Sequence, residues 1–177
     1  MILKKTKLEG VRLILLEQSK DDRGYFLRTF CKKDYQTQGI DFQIVQINRS
    51  FNSQRGTLRG LHFQKRPYSE AKIIQVLQGA IFDVIVDLRP KSATYGQWIS
   101  EVLSNQNRKV LYVPKGFAHG YQTLTDNCEI EYFMDQFYHP ESASGIRWND
   151  PHFKIKWPLN NPLFSTKDNN LPLFTNV

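Results

Sequence analysis

The stretch AIFDVIVDL, residues 80–88, decides the fold class of this 177-residue chain. Its even-numbered residues are all apolar, whereas Asp83 and Asp87 interrupt the odd-numbered set. An alternation with a period of two residues is typical of a β-strand, because successive side chains of a strand point to opposite faces. The stretch therefore predicts a strand with one fully apolar face and carboxylates inserted into the other.

Short segments of similar character flank this strand. We predict further strands at Lys72–Leu77, Lys109–Val113 and Glu129–Met134, and a short helix at Lys32–Gln38. Turns containing glycine or proline separate the segments. Many short strands with few short helices predict an all-β sandwich or jelly roll, in a single domain that spans residues 1–177. The residues from 157 to 177 are expected to pack over the barrel as an irregular tail.

Composition narrows the classes of partner. The net charge is +7, but the basic residues are scattered rather than clustered in a run. A phosphate-bearing small ligand is therefore favoured over nucleic acid. No apolar stretch approaches the roughly 18 residues of a membrane-spanning helix, and the N-terminus carries no secretion signal, so we expect a cytoplasmic protein without a membrane partner. Cys31 and Cys128 are too few and too far apart in sequence to predict a disulfide framework.

Several stretches place ionisable residues inside apolar strand patterns. They are TLRGLHFQ (57–64), VPKGFAHG (113–120), EIEY (129–132) and STKD (165–168). A lone histidine in a strand, such as His62, is more often a core residue than a catalyst. An imidazole nevertheless titrates near neutral pH, so it can take up and return a proton when a carboxylate fixes its tautomer. Asp83 and Asp168 are both candidates for that carboxylate, and the sequence does not choose between them.

A series of motifs, taken in order, resembles the dTDP-4-dehydrorhamnose 3,5-epimerase family of the cupin superfamily over nearly the whole chain. The motifs are DRGYF (22–26), QINRS (46–50), LRGLHFQ (58–64), FDVIVD (82–87), PKGFAHG (114–120), WNDP (148–151), IKWP (155–158) and STKD (165–168). The resemblance implies a cupin-type double-stranded β-helix that acts as a homodimer and uses no cofactor. It also implies an isomerase in surface-polysaccharide or deoxysugar biosynthesis. Its substrate would be a nucleotide-diphosphate 4-keto-6-deoxy-hexose, inverted at C3, C5 or both through an enolate.

The resemblance also assigns roles to catalytic residues. By this similarity His62 is the general base and Asp168 orients it. Tyr132 is the general acid on the opposite face of the sugar ring. Lys72 lies near the C4 oxygen, where an ammonium group stabilises the negative charge of the enolate.

Substrate-binding residues follow from the same resemblance. Arg59 and His119 hold the sugar and the diphosphate, since a guanidinium matches phosphate geometry. Arg23 reaches across the dimer toward the nucleotide. Further candidate contacts are Arg28, Gln46, Asn48, Tyr138 and Lys167. Arg28 and Ala143 stand where family members carry glutamate, which is expected to change the recognition of the base or the phosphate. A related branch that acts on another nucleotide sugar is therefore an alternative.

Two other functions compete with epimerisation. The first is a metal-dependent cupin enzyme such as a dioxygenase, in which His62, Glu70 and His119 would form a facial triad. Gln64 stands where such cupins carry the second histidine of an H-x-H pair, and glutamine is a poor ligand for transition metals, so we predict no metal. The second is a non-catalytic sugar-binding cupin, which would explain Arg59 but not a paired base and acid.

Overall fold

The computed structural model describes residues 1–174, which form strands and two short helices. In chain order these are β1 (Ile2–Lys5), β2 (Arg12–Leu15), β3 (Gln18–Asp21), β4 (Gly24–Leu27), α1 (Lys32–Gln36), β5 (Gln46–Asn52), β6 (Leu58–Gln64), β7 (Lys72–Gln78), β8 (Ala80–Asp87), β9 (Trp98–Ser104), β10 (Lys109–Val113), β11 (Phe117–Thr123), β12 (Cys128–Met134), β13 (Ala143–Gly145) and α2 (Thr166–Asn169). The predicted strands and the predicted short helix are all present, with ends that differ by up to two residues. The prediction of an all-β fold is therefore confirmed.

Two antiparallel sheets enclose the main core. One sheet has the strand order β1-β2-β10-β7-β12-β5 and the other β13-β6-β11-β8-β9, while β3 and β4 form a separate hairpin. Fully buried residues from both sheets, such as Ile74 of β7 and Ile85 of β8, belong to one apolar cluster. The strands thus face each other across a shared interior. Within residues 1–174 no helix is long and apolar enough to cross a bilayer. The cytoplasmic location stays a prediction.

The two faces of β8 pack against different apolar clusters, which explains why its sequence alternates so regularly. Ile81 and Ile85 join the core between the sheets, and Asp83 lies on the same face with no exposed surface. Val84 and Val86 point the other way into a second apolar cluster, which residues after β13 complete, including Trp157. Both faces are buried, so a carboxylate on the inner face needs a partner inside the barrel.

The C-terminal segment differs in part from its prediction. It packs over the outer face of β8 as expected, but residues 166–169 form helix α2 and are not irregular. The side chain of Ser165 caps this helix by accepting a hydrogen bond from the Asp168 backbone N–H at 3.1 Å. Serine is a preferred N-cap because its hydroxyl satisfies a backbone N–H that the first turn leaves free. Residues 175–177 of the predicted tail lie outside the described part of the chain.

Close contact between β6 and β11 depends on two glycines. A Cβ atom on Gly120 would lie 2.7 Å from the carbonyl oxygen of Arg59, and one on Gly60 would lie 2.7 Å from the carbonyl oxygen of His119. Backbone atoms cannot rotate away from such contacts as flexible side chains do. The glycines therefore allow the two strands to approach closely, at the point where His119 lies opposite His62.

We expect Gly120→Ala to lower the free energy of unfolding by about 1–3 kcal/mol, because the added methyl group overpacks the β6–β11 contact. Urea unfolding followed by circular dichroism measures the change. Lys91→Ala, on an exposed loop, is the control and should leave the midpoint unchanged. Equal midpoints for Gly120→Ala and wild type would show that the two strands can separate without cost.

Candidate active site

Strand register places the candidate residues on the inner faces of the two sheets. In the six-stranded sheet, Tyr132 of β12 pairs with Asn48 of β5 on one side and Ile74 of β7 on the other. In the five-stranded sheet, His119 of β11 pairs with His62 of β6. Directly paired residues of antiparallel strands project from the same face. The acid and base candidates therefore come from opposite walls of one interior.

A cavity of about 390 Å³ opens between these walls. Its size and mixed lining suit a small polar ligand. It is lined by Gln46, Asn48, His62, Phe63, Gln64, Glu70, Met134, Gln136, Tyr138, Ala143, Ser144, Lys167 and Leu171. The set includes five of the predicted site residues: Gln46, Asn48, His62, Tyr138 and Lys167.

His62 and Asp168 form a hydrogen-bonded pair at the wall of this cavity. The distance between His62 Nε2 and Asp168 Oδ1 is 2.5 Å. Asp168 is buried, whereas 44% of the His62 side chain is exposed. Burial by itself would raise the pKa of the Asp168 carboxyl, but hydrogen bonds from His62, Ser165 and the Gly60 backbone outweigh it and hold that pKa below its usual range. An ionised carboxylate that fixes one ring nitrogen is the arrangement a catalytic imidazole requires.

A second histidine–carboxylate pair lies deeper in the interior. His119 Nε2 and Asp83 Oδ2 are 2.7 Å apart, and both side chains are buried. Burial raises the pKa of Asp83, although the neighbouring His119 and Lys72 act in the opposite direction. The two carboxylates that the sequence left as alternatives are thus divided between the two histidines, with Asp168 on His62 and Asp83 on His119.

Tyr132 is held in its protonated form. Its ring lies 6.2 Å from the His119 ring, centroid to centroid, in an edge-on arrangement. Burial, with a further effect from Tyr121, raises the pKa of the Tyr132 phenol well above its ordinary value. The Tyr121 hydroxyl is itself hydrogen-bonded to Asn52 and Ser50. A phenol that stays neutral at physiological pH is available as a proton donor.

Two cationic candidates lie next to the cavity. Lys72 is buried, and its Nζ is 2.9 Å from Oε1 of Glu70, which lines the cavity. Arg59 is exposed and donates from Nε to Asn52 Oδ1 at 2.8 Å. Arg59 also borders a second cavity of about 380 Å³, together with Asp168. The Asp168 carboxylate therefore lies between the cavity that His62 lines and the one that Arg59 lines.

Several predicted site residues are absent from the lining of the main cavity, as far as residues 1–174 define it. Tyr132, Lys72 and His119 lie on the inward faces of β12, β7 and β11. Strand β12 lines the cavity through Met134, and β7 and β11 are hydrogen-bonded to strands that line it. Arg23 lies at the tip of the β3–β4 hairpin, 90% exposed, in an ion pair with Asp21. Arg28 borders a separate cavity of about 160 Å³ beside Glu17 and Asp34. Neither Arg23 nor Arg28 therefore lines the cavity that His62 lines.

The facial triad considered from the sequence is not assembled. His62, Glu70 and His119 each bind a different partner, namely Asp168, Lys72 and Asp83. Among residues 1–174, no cluster of three or more His, Cys, Asp or Glu side chains is arranged to hold a metal ion.

Sequence reasoning missed two buried residues at the cavity. Glu70 entered only as a metal ligand, although its position two residues before Lys72 could have indicated the ion pair. Gln64 is also buried, and its side-chain amide bonds the backbone of Tyr68, Phe137 and His139 at 2.6–3.1 Å. Gln64 thereby fixes the cavity rim next to Tyr138. The LRGLHFQ motif includes Gln64 but does not indicate this role, because Phe137 and His139 lie 73 and 75 residues away.

Comparison with known proteins identifies relatives over most of the chain. The profile of the dTDP-4-dehydrorhamnose 3,5-epimerase family matches residues 5–176. A dTDP-4-dehydrorhamnose 3,5-epimerase from Methanothermobacter thermautotrophicus is 46% identical over 169 residues, which are 94% of this chain and 90% of that protein.

Solved structures agree as well. The Bacillus anthracis dTDP-4-dehydrorhamnose 3,5-epimerase, with TDP and PPi bound, has a TM-score of 0.95 and 44% identity over 97% of this chain and 98% of its own. The Legionella pneumophila dTDP-6-deoxy-D-glucose-3,5-epimerase, in complex with dTDP-4-keto-L-rhamnose, has a TM-score of 0.94 and 38% identity over 99% of this chain and 94% of its own. The prediction of a cupin-type jelly roll is confirmed.

The raised pKa of Tyr132 gives a spectroscopic prediction. Between pH 9 and 11 (around the ordinary tyrosine pKa of about 10), folded wild type and Tyr132→Phe should form equal amounts of tyrosinate, measured by near-ultraviolet absorbance. In denaturant the wild type should form one more tyrosinate than the variant. A group whose pKa is raised by folding stabilises the fold below its unfolded pKa and loses that contribution as the pH rises. Wild type should therefore lose more stability than Tyr132→Phe above pH 10. A difference of about half a tyrosinate between the folded proteins at pH 10, the amount that a tyrosine with the ordinary pKa of about 10 would give, would contradict the burial argument.

Proposed function

This chain belongs to the dTDP-4-dehydrorhamnose 3,5-epimerase family, and we propose that it inverts C3, C5 or both of a nucleotide-diphosphate 4-keto-6-deoxy-hexose. One observation carries the proposal. The base His62, oriented by Asp168, projects from one wall of the interior, and the neutral phenol of Tyr132 projects from the other. Inversion of a carbon beside a ketone requires a base on one face of the ring and an acid on the other.

The proton balance of the reaction follows from these positions. His62 removes the hydrogen of the carbon next to the C4 ketone as a proton, and the electron pair of that bond moves to form the enolate. Tyr132 then delivers a proton to the opposite face of the same carbon, and the ketone is restored. One proton leaves and one is added, so the substrate and product are isomers and no redox cofactor is consumed.

Lys72 stabilises the enolate oxygen in this proposal. A fixed donor placed where negative charge develops is worth about 10²–10³-fold in rate, because the buried site does not have to reorganise as water does. The buried position of the Lys72 ammonium supports this role. The Asp83–His119 pair lies beside both Tyr132 and Lys72 and holds the inner end of the site.

Substrate recognition combines phosphate binding with contacts to the base. Arg59 offers a guanidinium suited to a diphosphate, and the ligands in the two solved relatives support a nucleotide sugar. Gln46, Asn48, Tyr138 and Lys167 line the cavity and are proposed to contact the substrate. Ala143 adds no charge to this wall, where a glutamate would place a carboxylate. A nucleotide sugar other than the dTDP-linked one is therefore included in the proposed range.

A homodimer completes the site in this proposal. The β3–β4 hairpin carries Tyr25 and Phe26, which are 60% and 73% exposed. Strand β5 ends the six-stranded sheet and exposes Ile47 and Phe51. Exposed aromatic side chains and an unpaired sheet edge are typical of an interface with another chain. Arg23, at the tip of the hairpin, is then able to reach the nucleotide bound by the partner.

Isotope exchange tests the reaction. Incubation with a panel of 4-keto-6-deoxy nucleotide sugars in heavy water should place deuterium at C3, C5 or both, observed by NMR. His62→Asn should slow this exchange by about 10²–10⁴-fold, because the general base is lost. His152→Asn, at an exposed histidine, is the matched control and should exchange at the wild-type rate. Exchange by His62→Asn at the wild-type rate would rule out His62 as the base. Binding without exchange across the whole panel would instead identify a sugar-binding module.

The dimer has its own prediction. Phe26→Asp should convert the dimer to a monomer in sedimentation equilibrium, because it places a charge in the proposed interface. Val102→Asp, at an exposed apolar residue of β9, should remain dimeric. Arg23→Ala should remain dimeric but raise the KM for the nucleotide sugar by about tenfold or more, as expected for a lost hydrogen bond to a charged group. A monomeric wild type, or an unchanged KM in Arg23→Ala, would overturn this part of the proposal.

A further inference from the structure

A buried carboxylate that the proposed chemistry does not use lies at the edge of the cavity. We infer that Glu70 is a positioning residue for Lys72, and that it acts on the epimerisation only by holding the Lys72 ammonium in place. The inference rests on the role proposed above for Lys72. Glu70 and Lys72 expose 6% and 7% of their side chains, and Oε1 and Nζ are 2.9 Å apart.

Both oxygens of the Glu70 carboxylate are occupied. Oε1 accepts from Lys72, while Oε2 accepts the backbone N–H of Gln64 at 2.9 Å. Gln64 belongs to β6, two residues after His62, and so faces the same side of that strand. Glu70 therefore ties the ammonium to the strand that carries the proposed base. With both oxygens bound, the carboxylate cannot rotate away from Lys72.

The backbone beside Glu70 is fixed as well. The N–H of Ala71 donates to Oδ1 of Asp135 at 2.6 Å, and the N–H of Asp135 donates to the carbonyl of Ala71 at 3.2 Å. Asp135 directly follows β12, the strand that carries Tyr132. Hydrogen bonds thus attach the segment that bears Glu70 to β6 on one side of the cavity and to the end of β12 on the other. These bonds hold the Glu70 carboxylate in one position.

A lysine in this setting needs such a partner. Its ammonium is a point charge on a flexible four-carbon chain, and burying an unpaired charge is costly. Asp83 is also close, since the charge of Lys72 is one of the effects that oppose the rise of the Asp83 pKa caused by burial. Asp83, however, has no exposed surface, whereas Glu70 lines the cavity. Glu70 is therefore the carboxylate that holds the ammonium on the substrate side.

Misplacement of Lys72 should affect the reaction more than substrate binding. The enolate oxygen gains its charge only as the proton leaves. A displaced ammonium therefore stabilises the transition state less, while the free energy of the bound substrate hardly changes. A displacement of about 1 Å can cost about 10²-fold in rate. Glu70 itself exchanges no proton in this scheme.

Four variants of the full-length chain, assayed with a nucleotide sugar that the wild type epimerises, test the inference: Glu70→Gln, Glu70→Ala, Lys72→Met and the double variant Glu70→Gln/Lys72→Met. Glu70→Ala should lower kcat by about 10²-fold with KM within about threefold of wild type. Glu70→Gln keeps the shape and should fall between Glu70→Ala and wild type. The double variant should be no slower than Lys72→Met, because Glu70 acts through Lys72 and the two effects are not additive. Glu9→Gln, which removes an exposed carboxylate that precedes β2, is the control and should keep the wild-type kcat.

Distinct outcomes separate the possible failures. If Lys72→Met is slow but Glu70→Gln and Glu70→Ala match wild type, the inference is overturned and the proposed function stands. An equal effect of Glu70→Gln in the wild-type and Lys72→Met backgrounds also overturns it, because Glu70 then acts independently. If Lys72→Met keeps the wild-type kcat, the role of Lys72 and the inference fail together. If Glu70→Ala fails to fold, Glu70→Gln and Glu70→Gln/Lys72→Met still test whether Glu70 acts through Lys72. The double variant removes both buried charges and retains the side-chain volume.

Discussion

The need to pair every charge between the two sheets is the constraint on which this structure depends. A carboxylate, ammonium or imidazolium group removed from water is costly unless a hydrogen-bonded partner compensates for it. Three pairs near the cavity satisfy this requirement: His62–Asp168, His119–Asp83 and Lys72–Glu70. Each pair presents a group useful to proton chemistry and keeps its partner largely buried. The pairs that offset the cost of burying these charges thus also orient the groups proposed to react.

Each of these pairs connects parts of the chain that the fold must first bring together. Asp168 reaches His62 from helix α2, in the C-terminal segment, and Asp83 reaches His119 from the neighbouring strand β8. Glu70 lies just before β7 and also binds the backbone of β6. In the Lys72–Glu70 pair, where both side chains are buried, loss of one member would leave the other as an uncompensated buried charge, at a cost of about 3–5 kcal/mol. Stability and the proposed catalysis therefore depend on the same side chains, and variants that preserve volume and hydrogen bonding are needed to separate the two effects.

Local patterns in the sequence determined the fold class and most of the elements. The alternation of residues 80–88 predicted a strand with one apolar face and with carboxylates on the other face. Strand β8 has this arrangement. The same reasoning located β7, β10, β12 and α1 to within two residues. Motif order identified the family and supplied His62, Tyr132, Lys72 and Asp168 as a set. These features are readable because a period of two residues and a turn signal are local properties of the chain.

Tertiary structure alone decided which groups meet. Residue patterns offered Asp83 and Asp168 equally to His62, and the family resemblance favoured Asp168. The fold pairs Asp168 with His62 and Asp83 with His119, across 106 and 36 residues of chain. The fold also turned part of the expected tail into helix α2 and revealed the Glu70–Lys72 pair. It placed Arg23 on an exposed hairpin, outside the cavity that His62 lines. A strand pattern specifies which face a side chain takes, but not which element packs opposite that face. That choice depends on long-range packing between the sheets, which the alternation of residues along one strand does not encode.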